Sequence, residues 1–338
     1  MAMSDGKPTV LVTGGAGYIG SHTCKVLKRA RYRPVVLDNL STGHRWAVKW
    51  GPLIKGDLLM PEVIDRVMVE YQPIAVIHFA ALAYVGESVR DPQRYYRNNV
   101  VGTLNLLDSM RRHKVDKMVF SSTCATYGEP RLIPIPEAHP QFPINPYGRT
   151  KLVIEQALRD YGSAYGLKSA SLRYFNAAGA DPQGDIGELH EPETHLIPLL
   201  LEVAAGLKEN VTVFGQDYDT EDGTCIRDYV HVNDLAKAHV LALETLDGGG
   251  GTQTYNLGMG RGYSVRQVID AARRVTGKDI PVVDGAARPG DPPKLVADAT
   301  RAHNRLRWEP EYLEIEPLIE TAWQWLQHRL KHKDQFSD

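Results

Sequence analysis

The most constraining feature of the sequence is a run with four glycines in seven residues, GGAGYIG, at residues 14–20. It follows an apolar stretch, Thr9–Thr13, that predicts a strand, and precedes an amphipathic stretch, Ser21–Arg31, that predicts a helix. Bare backbone at Gly14, Gly17 and Gly20 lets the chain turn tightly and approach a pyrophosphate at the positive end of that helix. The run therefore predicts a dinucleotide-binding site.

Short apolar runs recur along the first half of the chain with helical stretches between them. Near-continuous apolar strands of this kind are typical of a parallel sheet that is covered on both faces. The pattern predicts an α/β fold, a Rossmann-type doubly wound parallel sheet with a smaller mixed α/β lobe for the substrate. A longer helix is predicted at Tyr147–Tyr165. The remaining strand candidates are Pro34–Asp38, Ile74–Phe79, Met118–Ser122 and Ser169–Phe175.

The pattern changes after Phe175, where a polar stretch rich in Gly, Asp, Pro and Glu runs over Asn176–Glu193. It is too long for a simple crossover and marks the start of the second lobe. Thr254–Leu257, after the turn at Gly248–Gly251, is expected to return a strand to the main sheet. We therefore expect a dinucleotide-binding domain at 1–175 with a return segment at about 229–258, and a nucleotide-sugar-binding lobe at 176–228 and 259–338.

Composition restricts the classes of partner. With 39 Lys and Arg against 41 Asp and Glu in 338 residues, no overall field recruits nucleic acid or an anionic membrane. No apolar run approaches the ~20 residues that span a bilayer, and the first residues lack the build of a secretory signal. Cys24, Cys124 and Cys225 are widely separated and are interpreted as reduced thiols. We expect a cytoplasmic protein with no nucleic-acid or membrane partner.

The choice of dinucleotide depends on Asp38, which ends the second predicted strand 18 residues after Gly20. A carboxylate there accepts hydrogen bonds from the ribose hydroxyls and repels a 2′-phosphate, which favours NAD over NADP. Asn39 follows it, where an NADP site would favour arginine, although Arg45 lies near enough to leave NADP open. Alone, Asp38 would be interpreted as a turn cap.

Hydroxyl groups follow the fourth strand, in Ser121-Ser-Thr-Cys-Ala-Thr-Tyr127, and Thr123 is the one expected to contact substrate. Tyr147 and Lys151 lie four residues apart on one face of the long helix. A nearby ammonium stabilises a phenolate, so Lys151 would make Tyr147 a usable base for a sugar hydroxyl while NAD takes the hydride. An isolated pair of this spacing is more often a surface pair.

The segment His190-Glu-Pro-Glu-Thr-His195 is superficially similar to the zinc-protease motif H-E-x-x-H. That motif needs histidines four residues apart on a helix, whereas these are five apart and Pro192 breaks a helix. We therefore expect no metal, and expect His195 to face the substrate.

Taken with these features, the chain resembles the extended short-chain dehydrogenase/reductase family, and within it the nucleotide-sugar 4-epimerases, over nearly its whole length. The motifs that carry the resemblance are TGGAGYIGSH (Thr13–His22), HFAA (His78–Ala81), VGES (Val85–Ser88), NNVVGT (Asn98–Thr103), YGRTK (Tyr147–Lys151), RYFNAAGA (Arg173–Ala180), TEDGTCIRDYVHV (Thr220–Val232) and RPGDPP (Arg288–Pro293).

The resemblance implies a set of binding residues. The residues implied to contact NAD are Gly14, Gly17, Tyr18, Ile19, Gly20, Asp38, Asn39, Asp57, Leu58, Phe79, Ala80, Ala81, Asn98, Ser121, Tyr147, Lys151 and Tyr174. Those implied to hold a UDP-hexose are Thr123, Tyr147, Phe175, Asn176, His195, Leu196, Phe214, Arg227, Arg288, Asp291 and Leu295. Two arginines suit a diphosphate, although without the motifs each would be interpreted as a surface ion-pair partner.

The reaction that the resemblance implies is interconversion of UDP-galactose and UDP-glucose. The C4 carbon is oxidised to a 4-keto sugar, which rotates about its diphosphate link and is reduced on its opposite face. A homodimer formed through a helix pair is also implied. Three positions bear on this reading: Ala83 stands where some epimerases have lysine, Thr123 where some have serine, and Leu295 where the family controls access of N-acetylhexosamines.

Alternatives remain open at this point. A 4-epimerase of another UDP-sugar, either UDP-GlcNAc/GalNAc or a pentose, would use the same machinery. A nucleotide-sugar 4,6-dehydratase would carry Asp-Glu after Thr123, whereas this chain has Cys124 and Ala125. An NAD-binding regulator would be expected to lose the Thr/Tyr/Lys set, which is present.

Overall fold

The structure is a computed structural model that describes residues 6–248, 251–288 and 291–336. Its strands are β1 Thr9–Thr13, β2 Arg33–Asp38, β3 Leu53–Lys55, β4 Ala75–His78, β5 Lys117–Thr123, β6 Lys168–Tyr174, β7 Asn176–Ala178, β8 Val211–Phe214, β9 Ile226–Arg227, β10 Tyr229–His231, β11 Thr252–Leu257, β12 Tyr263–Ser264, β13 Val282–Gly285 and β14 Lys294–Leu295. Its α-helices are α1 Tyr18–Arg29, α2 Pro61–Tyr71, α3 Val85–Arg90, α4 Pro92–Tyr95, α5 Gly102–Arg112, α6 Pro146–Tyr165, α7 Leu196–Ala204, α8 Val232–Thr245, α9 Val265–Thr276, α10 Thr300–Leu306 and α11 Ile315–Lys331.

Seven strands form one parallel sheet in the order β11, β6, β5, β4, β1, β2, β3. The direction of winding reverses between β1 and β4, which leaves a crevice at the carboxyl ends of these two strands. Ligands of open α/β sheets bind at such a switch point. The doubly wound fold class predicted from the sequence is thus confirmed.

Helices cover both faces of this sheet. One face carries α1, α8 and α10, which pack through buried residues such as Leu27, Leu235 and Ala302. The other face carries α2, α5 and α6, which pack through Ile64, Leu106 and their neighbours. Among the residues that the structure describes, no helix has both the length and the apolar character needed to cross a membrane.

The start of α6 is fixed by its sequence. The Asn145 side chain accepts a hydrogen bond from the backbone N–H of Gly148 at 2.8 Å, and Pro146 occupies the first turn, where its missing N–H costs nothing. The helix ends at Tyr165 and is capped by Gly166, which has a φ of 75°. A capped first turn holds Tyr147 at the edge of the sheet.

The predicted strand Thr9–Thr13 matches β1, and the predictions for β2, β4, β5 and β6 differ from the observed strands by at most one residue at either end, whereas β3 was not predicted. The first helix begins at Tyr18, three residues before the predicted Ser21, because Gly17 is its N-cap. The return strand is present as Thr252–Leu257 and pairs in parallel with β6. Of the predicted turn before it, Gly249 and Gly250 lie outside the described residues.

The remaining elements build a second apolar cluster from α7, α9 and α11, with β8 paired to β13 and β9 placed between β12 and β14. The lobe boundaries given above stay a prediction. Trp308 and α10, which follow residue 259, pack against the core of the main sheet. A buried clamp also joins the two parts, because Lys25 on α1 donates to Asp181 and Asp185, each at 2.7 Å.

Candidate active site

The glycine turn after β1 is tightly packed against its neighbours. Gly14 has a φ of 72°, and a Cβ there would lie 2.5 Å from the backbone nitrogen of Ala80. A Cβ on Gly20 would lie 2.3 Å from the carbonyl oxygen of Gly14. Because no side chain fits at either position, the backbone and the first turn of α1 can face the crevice directly.

Asp38 lies at the end of β2 and is buried. Its two carboxylate oxygens accept hydrogen bonds from the backbone N–H of Ala16 at 3.0 Å and of Leu40 at 2.8 Å. Burial raises the pKa of Asp38, and these two N–H groups oppose the rise. Each carboxylate oxygen can still accept a second hydrogen bond, which suits a ribose diol. Nearby, Asn39 donates to Asp57 at 2.9 Å.

One cleft at the carboxyl edge of the sheet is lined by all the residues predicted to bind NAD. The predicted substrate residues in the same cleft are Thr123, Tyr147, Phe175, Asn176, His195 and Leu196. Other residues that line it were not predicted to bind a ligand: Leu37, Ser41, Thr42, Gly43, Gly56, Leu82, Tyr84, Ala177, Ala178, His190, Ile197, Pro198 and Tyr229. Several come from loops that lack a local motif, whereas Ala177, Ala178 and Tyr229 lie within motifs quoted above.

Thr123, Tyr147 and Lys151 meet in this cleft. Thr123 ends β5, and Tyr147 and Lys151 lie one helical turn apart on α6. The Lys151 Nζ atom donates to the carbonyl oxygen of Ser121 at 2.8 Å and lies 5.9 Å from the centre of the Tyr147 ring. The three side chains predicted to carry the chemistry are therefore neighbours.

The pKa values of this group differ from the sequence expectation. Burial lowers the pKa of Lys151 to about 7, against the opposing charge of Glu155. Burial, followed by the neighbouring Tyr174, raises the pKa of Tyr147 above its usual range, and a hydrogen bond with Thr123 opposes the rise. Lys151 was expected to lower the pKa of Tyr147, but desolvation dominates for both groups.

A buried polar network behind the cleft was missed by the sequence reasoning. Arg173 on β6 donates to both carboxylate oxygens of Glu155 on α6, at 2.9 and 2.5 Å. Arg173 also donates to the hydroxyl of Tyr127 at 2.9 Å, and that hydroxyl donates to Asn256 at 2.6 Å. Glu155 lies four residues after Lys151, so a charged residue on the buried face of α6 was the available signal. The network fixes α6 against the sheet.

Five of the predicted substrate residues lie outside this cleft, on the second lobe. Arg227 forms a close ion pair with Asp291, and Arg288 lies over the ring of Phe214 with its guanidinium carbon 4.1 Å from the ring centre. Burial lowers the pKa of Arg227, but the charge of Asp291 more than offsets this and the pKa is raised overall.

Leu295, the fifth of these residues, is buried in a small apolar cluster with Cys124, Tyr127 and Phe175. Because Phe175 lines the cleft, Leu295 belongs to an apolar cluster that reaches the cleft wall.

Comparison with known proteins gives a consistent result. The model of the NAD dependent epimerase/dehydratase family matches residues 10–258. A UDP-glucose 4-epimerase of Rhizobium meliloti is 53% identical over 320 residues, which are 95% of this chain and 97% of the relative.

Solved structures agree with this comparison. The UDP-glucose 4-epimerase of Brucella ovis in complex with NAD is 54% identical, with a TM-score of 0.91, over 94% of this chain and 98% of that one. The enzyme of Bifidobacterium longum in complex with NAD+ and UDP is 40% identical, with a TM-score of 0.92, over 97% of this chain and 100% of that one.

Proposed function

The chain belongs to the NAD dependent epimerase/dehydratase family, and we propose that it interconverts UDP-galactose and UDP-glucose by inverting C4 of the sugar. The observation that carries the proposal is the convergence of Thr123, Tyr147 and Lys151 in the cleft that also holds the glycine turn and Asp38. A hydroxyl, a phenol and an ammonium beside a dinucleotide site are the groups needed to oxidise a carbinol carbon.

In this mechanism Tyr147 takes the proton from the C4 hydroxyl, and Thr123 holds that oxygen by a hydrogen bond. Lys151 is held by the carbonyl oxygen of Ser121 near the phenol, and its protonated form places a positive charge close to that phenol. NAD, held by the residues that line the cleft, would supply the hydride acceptor for this step. Once the 4-keto sugar has rotated to present its opposite face, the hydride would return to C4 on that face while Tyr147 returns the proton to the C4 oxygen, which gives the opposite configuration.

We propose that the second lobe holds the UDP part of the substrate. Arg227 and Arg288 offer forked donors to the diphosphate, and Phe214 offers a flat face to the uracil ring. In the structure these groups engage Asp291 and one another. Substrate would have to take over part of those contacts, so binding includes a rearrangement of side chains in this lobe.

Cys124 argues against a 4,6-dehydratase. Elimination of water needs an acid and a base beside the catalytic hydroxyl residue, and here Cys124 and Ala125 follow Thr123. Burial raises the pKa of the Cys124 thiol to about 12, so it remains protonated at neutral pH. The residues support epimerisation rather than elimination.

The test is proton NMR of the purified protein with UDP-galactose and no added reductant. We expect signals of UDP-glucose to grow to a constant ratio, and denaturation of the protein to release NAD. A 6-deoxy-4-keto product would instead identify the protein as a 4,6-dehydratase. Bound NAD with no change in the sugar would contradict the proposed reaction.

The same assay with UDP-GalNAc tests substrate range. Leu295 shares an apolar cluster with Phe175 at the cleft wall, so its size would limit how far the wall can yield to an acetamido group. We propose that Leu295→Ala increases turnover of UDP-GalNAc relative to UDP-galactose. An unchanged ratio of the two turnover rates would show that Leu295 does not determine substrate specificity.

We also propose a homodimer and a cytoplasmic location. Leu104 on α5 and Val153 on α6 are exposed apolar residues on neighbouring helices, which suits a helix-pair interface between two copies. Cys24, Cys124 and Cys225 are buried free thiols, as expected in a reducing compartment. Light scattering should give twice the chain mass for the native protein and the single mass for Leu104→Lys/Val153→Lys.

A further inference from the structure

Four side chains that take no part in the proposed proton and hydride transfer converge in the loop between β7 and α7. They are Glu188, His190, Glu193 and His195, and their potential ligand atoms all lie within 4.8 Å of one another. The loop is not helical at these residues, and α7 begins directly after His195. The sequence argument against a helical zinc-protease motif therefore does not apply to this arrangement.

The distances within this cluster are close to those of a metal site. Metal–ligand bonds of about 2.0–2.2 Å at tetrahedral angles place the ligand atoms roughly 3.3–3.6 Å apart. The His190 Nδ1 atom lies 3.1 Å from Glu188 Oε1 and 3.8 Å from Glu193 Oε2, and His195 Nδ1 lies 3.7 Å from Glu193 Oε1. The 2.5 Å separation of His195 Nδ1 and Glu188 Oε1 is shorter than this range and would have to open.

Glu188, His190 and Glu193 are largely buried, whereas half of the His195 side chain is exposed. The side chains of Glu188 and Glu193 are only 7% and 6% exposed, and the buried His190 Nδ1 atom lacks a hydrogen-bond partner of good geometry. Glu193 Oε1 accepts from the backbone N–H groups of Thr194 and His195, at 2.7 and 2.8 Å, which leaves Oε2 free to coordinate. Supporting hydrogen bonds of this kind orient metal ligands.

We propose that Glu188, His190, Glu193 and His195 form a site for one divalent cation of the zinc type, apart from the catalytic side chains. Two imidazole nitrogens favour Zn²⁺, Co²⁺ or Ni²⁺ over Mg²⁺ and Ca²⁺, which prefer oxygen ligands. A dication also compensates two carboxylates that are buried in one loop. By joining Glu188 to the start of α7, it would fix His195 and Leu196, which line the cleft.

The test uses the full-length protein without an affinity tag, freed of metal by a chelator and then dialysed against Zn²⁺. We expect about one Zn²⁺ per chain by elemental analysis, and the strong visible absorption of a four-coordinate site when Co²⁺ replaces it. Glu193→Gln keeps an oxygen for the two N–H groups but removes the charge, and His190→Ala removes a ligand. Each should lower the affinity for Zn²⁺ by about 100-fold or more.

A rival pair of histidines provides the matched control. His328 on α11 and His332 just after it have ring centres 4.7 Å apart and could bind metal at the surface. The double variant His328→Ala/His332→Ala should retain the bound Zn²⁺. The proposal is overturned if native protein holds no metal, or if Glu193→Gln retains it while the double variant loses it. Circular dichroism shows which variants are folded, and turnover of UDP-galactose is measured separately, so failure of this site is distinct from failure of the reaction.

Discussion

The two halves of the candidate site are built differently. In the half formed by the sheet, Thr123, Tyr147 and Lys151 come from a strand end and a capped helix, and they already face the cleft. In the half formed by the second lobe, Arg227 is paired with Asp291 and Arg288 lies on Phe214. The chemistry is preorganised by regular elements, whereas substrate binding must exchange existing side-chain contacts.

This difference predicts which property a substitution in each half should change. Changes in the sheet half remove groups whose position is fixed before substrate arrives, so they should affect turnover or folding. Changes in the second lobe should affect the concentration of substrate that is needed.

The largest effect is expected from Tyr147→Phe, which removes the base and leaves the ring. Turnover of UDP-galactose should fall by about 10³- to 10⁴-fold, since a positioned general base contributes on this scale. Proton NMR measures the rate, and the NAD released on denaturation should match the native amount. Native turnover in this variant would show that the preorganised phenol is not the base.

The next effect concerns stability. Glu155→Ala leaves the Arg173 guanidinium buried without its carboxylate, which should lower the free energy of unfolding by about 3–5 kcal/mol. The control is Glu316→Ala on the second lobe, where the pair with Arg274 is exposed and should contribute about 0–1 kcal/mol. Urea unfolding at equal NAD concentration measures both. Equal losses of unfolding free energy in the two variants would show that the buried pair stabilises the protein no more than the exposed pair does.

Arg227→Ala tests the second lobe directly. Loss of a charged donor to the diphosphate, worth about 1.5–3 kcal/mol, should raise KM by roughly 10- to 100-fold. The NAD content and kcat should change little. Arg266→Ala, an exposed arginine on the same lobe, should leave KM within about twofold of the native value. A fall in kcat with an unchanged KM would assign Arg227 to the chemical step instead.

The smallest effect, taken per pH unit, is the pH dependence of stability that Lys151 contributes. Its pKa in the protein is about 7, below the value of about 10.4 for an unfolded lysine. Between these values the unfolded chain binds the additional proton, so the native free energy of unfolding rises with pH, by at most about 1.4 kcal/mol per unit. Lys151→Met lacks this contribution. The free energy of unfolding of the native protein, relative to that of the variant, should therefore rise from about pH 7 to pH 10. A difference that does not vary with pH would show that Lys151 is not desolvated.

The sequence predicted those parts of the molecule that repeat a local pattern. Apolar runs placed five strands of the main sheet, the late apolar segment placed β11, and the glycine run placed the turn before α1. It did not predict β3, which has only three residues and a partly exposed pattern. The pairing of Glu155 with Arg173 was also missed, because residues on different elements meet only through the fold.

The candidate site shows the same limit. The residues predicted to bind NAD line one cleft because strand ends and the first helix turn have fixed positions. Whether Arg227, Arg288 and Leu295 contact substrate stays a prediction, since they lie on short strands and loops outside that cleft. The pattern His190–His195 was noticed in the sequence but was interpreted as having no metal, because the way a nonhelical loop brings Glu188, His190, Glu193 and His195 together depends on the fold.

The clamp between Lys25 and the acidic residues at 181 and 185 has a consequence for engineering. Recombining the sheet of one relative with the second lobe of another is an obvious route to new sugar preferences. A crossover placed between α1 and this loop would set a buried ammonium against foreign partners, and an uncompensated buried charge costs several kcal/mol. Productive chimeras should therefore inherit α1 and the 181–185 segment from the same parent.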